Sequence, residues 1–177
     1  MTGPGDWKVR PATGADAERL ALVGSATFLE SFAGVIDGDG IVAHCRNQHS
    51  AQRYADYLDQ GAKAWLAEIA PGAAPVGYAL TCAPDLPQAQ DGDIELKRIY
   101  VLSQHHGSGI AAALLSEAVA AATGHARMLL GVYNGNARAL TFYKKHRFAV
   151  IGDRRFDVGG HTYEDFVLAR TLTSDTQ

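Results

Sequence analysis

One segment restricts the fold more than any other: Ile99-Tyr100-Val101-Leu102-Ser103-Gln104-His105-His106-Gly107-Ser108-Gly109-Ile110-Ala111. The apolar run over residues 93–102 reads as a strand. Beyond it, Ile110, Leu114, Leu115, Ala118, Val119 and Ala122 recur at helical spacing, so a helix is expected over residues 107–123. A strand that passes through a glycine-rich turn into a helix leaves unpaired N–H groups at the helix start, where the helix dipole adds partial positive charge. Gly107 and Gly109 carry no Cβ to hold an anion away. A pyrophosphate is therefore expected over residues 104–111. Glycines that merely tighten a packing turn would look the same, but strand, turn, helix and a further helix downstream occur here together.

The surrounding chain supplies a sheet for this unit. Residues 1–6 and 173–177 read as flexible tails and residues 7–172 as one domain. A short strand is expected at 7–10. Thr13, with Asp16 three residues on, then starts a helix whose apolar stripe is Leu20, Val23, Phe28 and Leu29. Gly34 and the Asp37-Gly38-Asp39-Gly40 run separate it from a second helix over residues 41–60, with Ile41, Val42, Tyr54, Tyr57 and Leu58 as apolar positions. Residues 63–70 and 76–82 form an antiparallel hairpin around Pro71-Gly72-Ala73-Ala74-Pro75. After a polar loop at 84–92 come the strand at 93–102, the helix at 107–123, a strand at 127–133 and a helix at 136–146. Two strands at 148–156 and 162–172, joined at Gly159-Gly160, close the chain. The order β, α, α, β, β, β, α, β, α, β, β makes this an α/β (α+β) chain: one mixed sheet with helices on both faces.

Composition narrows the function classes. The chain is 47% hydrophobic and 20% charged, which suits one globular domain, and its formal charge of -3 disfavours a nucleic-acid partner. Cys45 and Cys82 lack a CxxC spacing, so neither a disulfide scaffold nor a zinc ribbon is expected. Apolar stretches are interrupted well before a membrane span, and no charged-then-apolar segment opens the chain, so a cytoplasmic protein with no membrane partner is expected.

Among phosphate-binding patterns, the P-loop fails for want of Lys-Ser or Lys-Thr. The dinucleotide motif sits on a first strand, whereas this turn is mid-chain. A dinucleotide-dependent oxidoreductase is thus a weaker reading. Gln104-x-x-Gly107-x-Gly109 is similar to the Q/R-x-x-G-x-G/A coenzyme A signature of the GNAT superfamily of N-acetyltransferases. Residues 96–102 with Gly107-Ser108-Gly109-Ile110 resemble its motif A, and residues 130–148 resemble its motif B. The resemblance spans residues 65–166. The wording of 96–102 and 142–148 is similar to bacterial polyamine (spermidine/spermine) N-acetyltransferases of the PaiA type. The resemblance departs at Ala111, which stands for a third glycine, and at His146, which stands for the glycine that usually closes the second motif.

That resemblance implies the GNAT fold, a single mixed, mostly antiparallel sheet with a central splayed parallel pair. It implies acetyl-CoA as cosubstrate, no metal and a small-molecule amine as acceptor (a polyamine or another small cationic amine); many relatives form a homodimer, but nothing in this sequence fixes the oligomer. The backbone of Ile99, Tyr100 and Val101 would bind pantetheine, with Ile99 or Val101 N–H as oxyanion donor. Gln104, His106, Gly107, Ser108, Gly109, Ile110 and Ala111 would surround the pyrophosphate. Asn136 and Tyr143 match positions at the pantetheine end. Asn136 also suits a helix N-cap, which is compatible.

Direct attack of an amine on a thioester needs a proton acceptor, oxyanion donors and a proton for the leaving thiolate, but no covalent enzyme intermediate. Tyr143 is the expected general acid, two helical turns from Asn136. Glu95, six residues before Val101, is the expected base; Tyr100, Glu68 and Glu164 are further polar residues that could face the slot. Asp37, Asp39, Asp56, Asp59, Glu164 and Asp165 are candidate carboxylates for a cationic acceptor. His105 and His106 read as a solvated loop, without metal-ligand spacing. Lys144, Lys145 and Arg147 are either 3′-phosphate contacts or a solvated helix end. Two alternatives share the cradle: a catalytically silent acyl-CoA-binding module, and a protein N-terminal or lysine acetyltransferase.

Overall fold

Strand β4 (Asp93–Val101) has two edges with different partners. In the computed structural model, which describes residues 6–158 and 160–172, one edge pairs antiparallel with β3 (Ala74–Cys82), from Gly77↔Val101 to Cys82↔Glu95. The other pairs parallel with β5 (Arg127–Tyr133), through Asp93↔Arg127, Ile94↔Met128 and Glu95↔Leu129. Beyond Glu95 the two strands part. Their joined end is clamped by Arg127, whose Nε and Nη2 donate to the two Asp93 carboxylate oxygens at 3.0 and 2.6 Å. A bidentate arginine–carboxylate pair of this kind fixes geometry as well as adding energy.

Seven strands form one sheet in the order β1-β2-β3-β4-β5-β7-β6, with β1 (Trp7–Ala12), β2 (Lys63–Ile69), β6 (Ala149–Val158) and β7 (His161–Thr171) completing it. Every neighbouring pair except β4–β5 is antiparallel. The sheet separates two helical layers, and strand alternation assigns residues to them. On one face, Leu114, Leu115 and Ala118 of α4 (Ile110–Ala120) and Tyr143 of α5 (Ala137–Lys145) pack with Trp65, Ala67, Ala79, Leu96 and Leu130. On the other, Leu20 and Val23 of α1 (Ala17–Phe32) and Tyr54 of α3 (Ala51–Asp59) pack with Ala64, Leu66, Tyr78 and Leu80. Helix α2 (Gly38–Gln48) places Ile41 against Phe28 of α1 and Val158 of β6.

The single mixed sheet, the splayed parallel pair and the helices on both faces match the expected fold. The second helical region is two helices, because Ser50 starts a new one: Arg53 N–H donates to its hydroxyl at 3.1 Å. Asp37 caps α2, accepting from Gly40 N–H at 2.9 Å, so Gly38-Asp39-Gly40 lies inside that helix rather than in the break. Leu29 and Val42, expected on buried stripes, are exposed. Thr13 and Asp16 act as expected, Thr13 N–H donating to Asp16 Oδ2 at 2.9 Å ahead of α1. Asp6 is not loose: Ala70 N–H donates to its carbonyl at 2.7 Å, extending the β1–β2 ladder. Residues 1–5 and 173–177, and Gly159 of the final turn, lie outside the described residues. Cys45 and Cys82 are free thiols, and no described helix is long and apolar enough to cross a membrane.

One irregularity shapes the centre. Leu80 pairs with Arg98 while Thr81 pairs with Leu96, so Lys97 is an extra residue in β4, a β-bulge. Leu96 points toward α4 before the bulge. After it, Ile99 and Val101 point that way while Arg98 and Tyr100 turn toward α1 and α3.

Candidate active site

The glycine turn lies where β4 hands over to α4, but the helix spans Ile110–Ala120, starting three residues later than expected, at the first residue of its apolar pattern. Gly107 (φ 80°) and Gly109 (φ 91°) are both left-handed. No neighbouring atom would meet a Cβ on Gly107, and the first to meet one on Gly109 is the Trp7 ring at 3.8 Å, so the backbone turn, not crowding, demands glycine. The turn is anchored on α1: Ser103 N–H and Oγ donate to the Glu30 carboxylate at 2.8 and 3.0 Å. Ser108 Oγ donates to the His105 carbonyl at 2.6 Å. Ala113 N–H is the first of the helix to find a backbone acceptor, Gly109 O. The amides of Gly107, Gly109, Ala111 and Ala112 have none among the described residues. Gln104, His106, Gly107 and Gly109 are solvent-exposed and Ser108 and Ala111 half-buried, while Ile110 is a core anchor. Four unpaired amides at a helix start fit a pyrophosphate.

The splayed edge of β4 continues from this cradle. Leu102 N–H donates to Val76 O at 2.9 Å, so residues 100 and 102 turn their backbone groups toward β3, and Ile99 and Val101 turn theirs into the slot. Of the three residues expected to bind pantetheine, Tyr100 has its backbone in the β3 ladder and its ring stacked on Tyr78 at 6.1 Å. Two donors and the Ile99 carbonyl remain open to an extended amide chain. Over the Val101 carbonyl lies His106 Nε2, 2.9 Å away, itself 3.1 Å from Arg138 Nη2 on α5. Sequence reasoning did not single out Arg138; its signal would have been a cation two residues past the Asn136 cap.

Asn136 Oδ1 accepts from Ala139 N–H at 3.1 Å, the N-cap of α5. Tyr143, on the α4 side of the sheet, is buried between the Phe142 and Phe148 rings, centroids 5.4 and 5.6 Å away. Its hydroxyl has no partner among the described residues, and burial pushes its pKa above the usual phenol value, so it stays protonated. At the end of α5 the residue in the left-handed conformation is Arg147 (φ 67°), not His146, so Arg147 occupies the glycine position of the motif. Lys144, Lys145 and Arg147 are exposed.

The opposite face of the slot is charged and aromatic. Glu95, 2% exposed, has both oxygens engaged: Oε2 accepts from Asp85 N–H at 2.7 Å and Oε1 pairs with Lys97 at 3.4 Å. This geometry suits an anchor for the 84–92 loop better than a group that exchanges protons. Arg98, 9% exposed, lies over the Tyr54 and Tyr57 rings at 5.2 and 5.4 Å. Tyr54 shares a 2.8 Å hydrogen bond with His49 Nδ1, for which Gly24 leaves room in α1. His44 stacks on Phe28 at 4.1 Å. Burial first, and Arg98 second, lower the pKa of His44 to about 4 and of His49 to about 3, so both are neutral at pH 7.

Next to the splay, Arg154 Nε and Nη2 donate to Asp165 Oδ2 at 3.2 and 3.1 Å. The Arg154 guanidinium lies over Gly131 of β5; a Cβ there would stand 2.7 Å from Cζ. Of the other candidate carboxylates, Asp37, Asp39, Asp59 and Glu164 are exposed and Asp56 accepts from Gln52. Glu68 is held on the outer β1–β2 edge by Arg10 at 2.7 Å. His105 is buried with an unpaired Nδ1, unlike the solvated residue expected; His106 is exposed.

Residues 35–148 match the model of the Acetyltransferase (GNAT) family. The chain is 36% identical over 159 residues to the uncharacterized N-acetyltransferases Rv2669 of Mycobacterium tuberculosis (strain H37Rv) and Mb2688 of Mycobacterium bovis, a match covering 89% of this chain and 98% of each relative. Among solved structures, the PaiA N-acetyltransferase from Thermoplasma acidophilum in complex with coenzyme A superposes with a TM-score of 0.75 at 20% identity, covering 97% of this chain and 99% of that one. A ribosomal-protein-alanine N-acetyltransferase from Brucella melitensis gives 0.70 at 22% identity over 93% of this chain and 99% of its own. At these identities the two structures speak to the fold alone.

Proposed function

Because the chain belongs to the GNAT acetyltransferase family and is an acetyl-CoA-dependent N-acetyltransferase, we propose that the slot between β4 and β5 is its active site, with a primary amine attacking directly. The observation that carries this reading is the continuity of four unpaired amides at the start of α4 with the open edge of β4. Acetyl-CoA supplies an acyl carbon activated as a thioester. The cradle at residues 107–112 binds its pyrophosphate, and Ile99 and Val101 hold the pantetheine amides by strand-like pairing. One of their N–H groups stabilises the charge that develops on the carbonyl oxygen. Tyr143 approaches from the α4 side and donates a hydrogen bond to the departing sulfur. A thiol has a pKa of about 8.5, below that of a buried phenol, so the tyrosine remains protonated while the sulfur collects its proton from the new amide nitrogen.

The acceptor enters from the α1–α3 side. Arg98 and Arg154 line that side, and its buried carboxylate Asp165 already shares one oxygen with Arg154. An acceptor with a single ammonium suits this charge distribution better than a polyamine, despite the PaiA-like wording of residues 96–102.

Thiol release from acetyl-CoA against a panel holding a monoamine, an amino acid, a polyamine and a peptide amine tests the reading. Transfer to at least one amine is expected, and Tyr143→Phe should lower kcat about 10- to 100-fold while leaving coenzyme affinity unchanged. Tight coenzyme binding with no turnover across the panel would instead support a silent acyl-CoA-binding module.

A further inference from the structure

We propose that Asp165 of β7 takes the proton from the incoming ammonium. The inference rests on the slot being the acetyl-transfer site, and it replaces Glu95 as the proton acceptor. Asp165 is opposite Tyr133 in the β5–β7 ladder and shares a face with Val167, which packs on Leu129. It therefore sits on the α1–α3 side of the slot, across the sheet from Tyr143. Tyr133, its partner, lies four residues past the last β5 residue that pairs with β4, so Asp165 flanks the part of the sheet where β4 and β5 have parted.

The pairing of Asp165 is one-sided. Both Arg154 bonds end on Oδ2. Oδ1 accepts no hydrogen bond from the described residues, and Asp165 is 4% exposed. One oxygen is thus fixed and the other is available, which is the geometry of an oriented base. Glu95, with both oxygens occupied, offers no such atom. Burial raises the Asp165 carboxyl above its ordinary value, with Arg154 opposing, so its affinity for a proton is increased.

A primary ammonium donates one proton to Asp165 Oδ1, freeing the nitrogen lone pair. That nitrogen forms the N–C bond as the C–S bond breaks. Its second proton passes to the sulfur, giving the thiol, and Asp165 releases its proton to solvent.

The test compares Asp165→Asn with wild type on two amines, one strongly basic and one weakly basic and already neutral at the assay pH. Asp165→Asn is expected to lose about 100-fold in kcat/KM on the basic amine and only a few-fold on the neutral one, with KM for acetyl-CoA unchanged. Asp165→Glu should restore part of the loss. Equal losses on both amines, or none, would overturn the assignment. A second arm needs no turnover: calorimetry of the basic amine binding to the protein saturated with coenzyme A. About tenfold weaker binding by Asp165→Asn is expected there, and equal affinity overturns the proposal. Wild type that acetylates no amine would sink the transfer reading, while the binding arm still judges Asp165.

Discussion

The two sides of the slot are built in opposite ways. The coenzyme side is local: strand, turn and helix follow one another from Asp93 to Ala120, and its polar groups are main-chain amides. The proposed acceptor side is assembled: Gly131 from β5, Arg154 from β6 and Asp165 from β7 meet only because β7 inserts between β5 and β6. A site made of backbone depends on chain geometry and tolerates many side chains. A site made of side chains depends on each of them.

Substitutions can break each side separately. The largest effect is expected from Gly109→Val, because a β-branched residue resists φ 91° and its backbone amide leaves the cradle. Coenzyme A affinity should fall about 100-fold by calorimetry, the cost of αL strain plus a lost charge-assisted bond. Gly131→Ala addresses the other side. Its Cβ, 2.7 Å from the Arg154 guanidinium, should displace that flexible side chain from Asp165 without disturbing the fold. About a tenfold drop in kcat/KM for the amine is expected, with coenzyme affinity retained.

Smaller effects should separate stability from both sides. The Arg10 hydrogen bond holds the Asp16 carboxyl at about 2, below its unfolded value of 3.8. Its folded pKa is depressed, so its contribution is present above about pH 4 and is lost as pH falls toward 2. Urea midpoints over that window should decline less steeply in Asp16→Asn, by about 1 kcal/mol in total because Arg10 is partly solvated. Smallest of all, Arg147→Gly should stabilise the protein by about 0.5–1 kcal/mol, since glycine accepts φ 67° without a Cβ penalty.

The same contrast explains what could be read from the sequence. The strand–turn–helix unit was legible because residues 99–111 carry it in chain order, and the strand and helix periods on either side identify it. Strand β5 was legible to the residue. The bulge at Lys97 was not, because an inserted residue shows only against a partner strand, and it decides that Arg98 and Tyr100 share a face. Asp165 appeared only as one acidic residue among six; nothing nearby in the chain announces Arg154 or Gly131. Distance along the strand, which points to Glu95, does not reveal the Asp85 amide that donates to it. The break at His49-Ser50 was hidden because no glycine or proline marks it; Ser50, a favoured N-cap residue, is its one local signal.

The parallel contact of β4 with β5 is three residue pairs long and closed by Asp93 and Arg127. The open arm of β4 extends six residues past it, roughly 20 Å at strand rise. The arrangement is a pair of tweezers with its pivot at one end. A rotation of about 10° at the pivot would move the tips by roughly 3 Å over that length, comparable to the reach of one hydrogen bond. Residues such as Ile94 and Met128, which touch no reactant, therefore set the gauge between the groups that do.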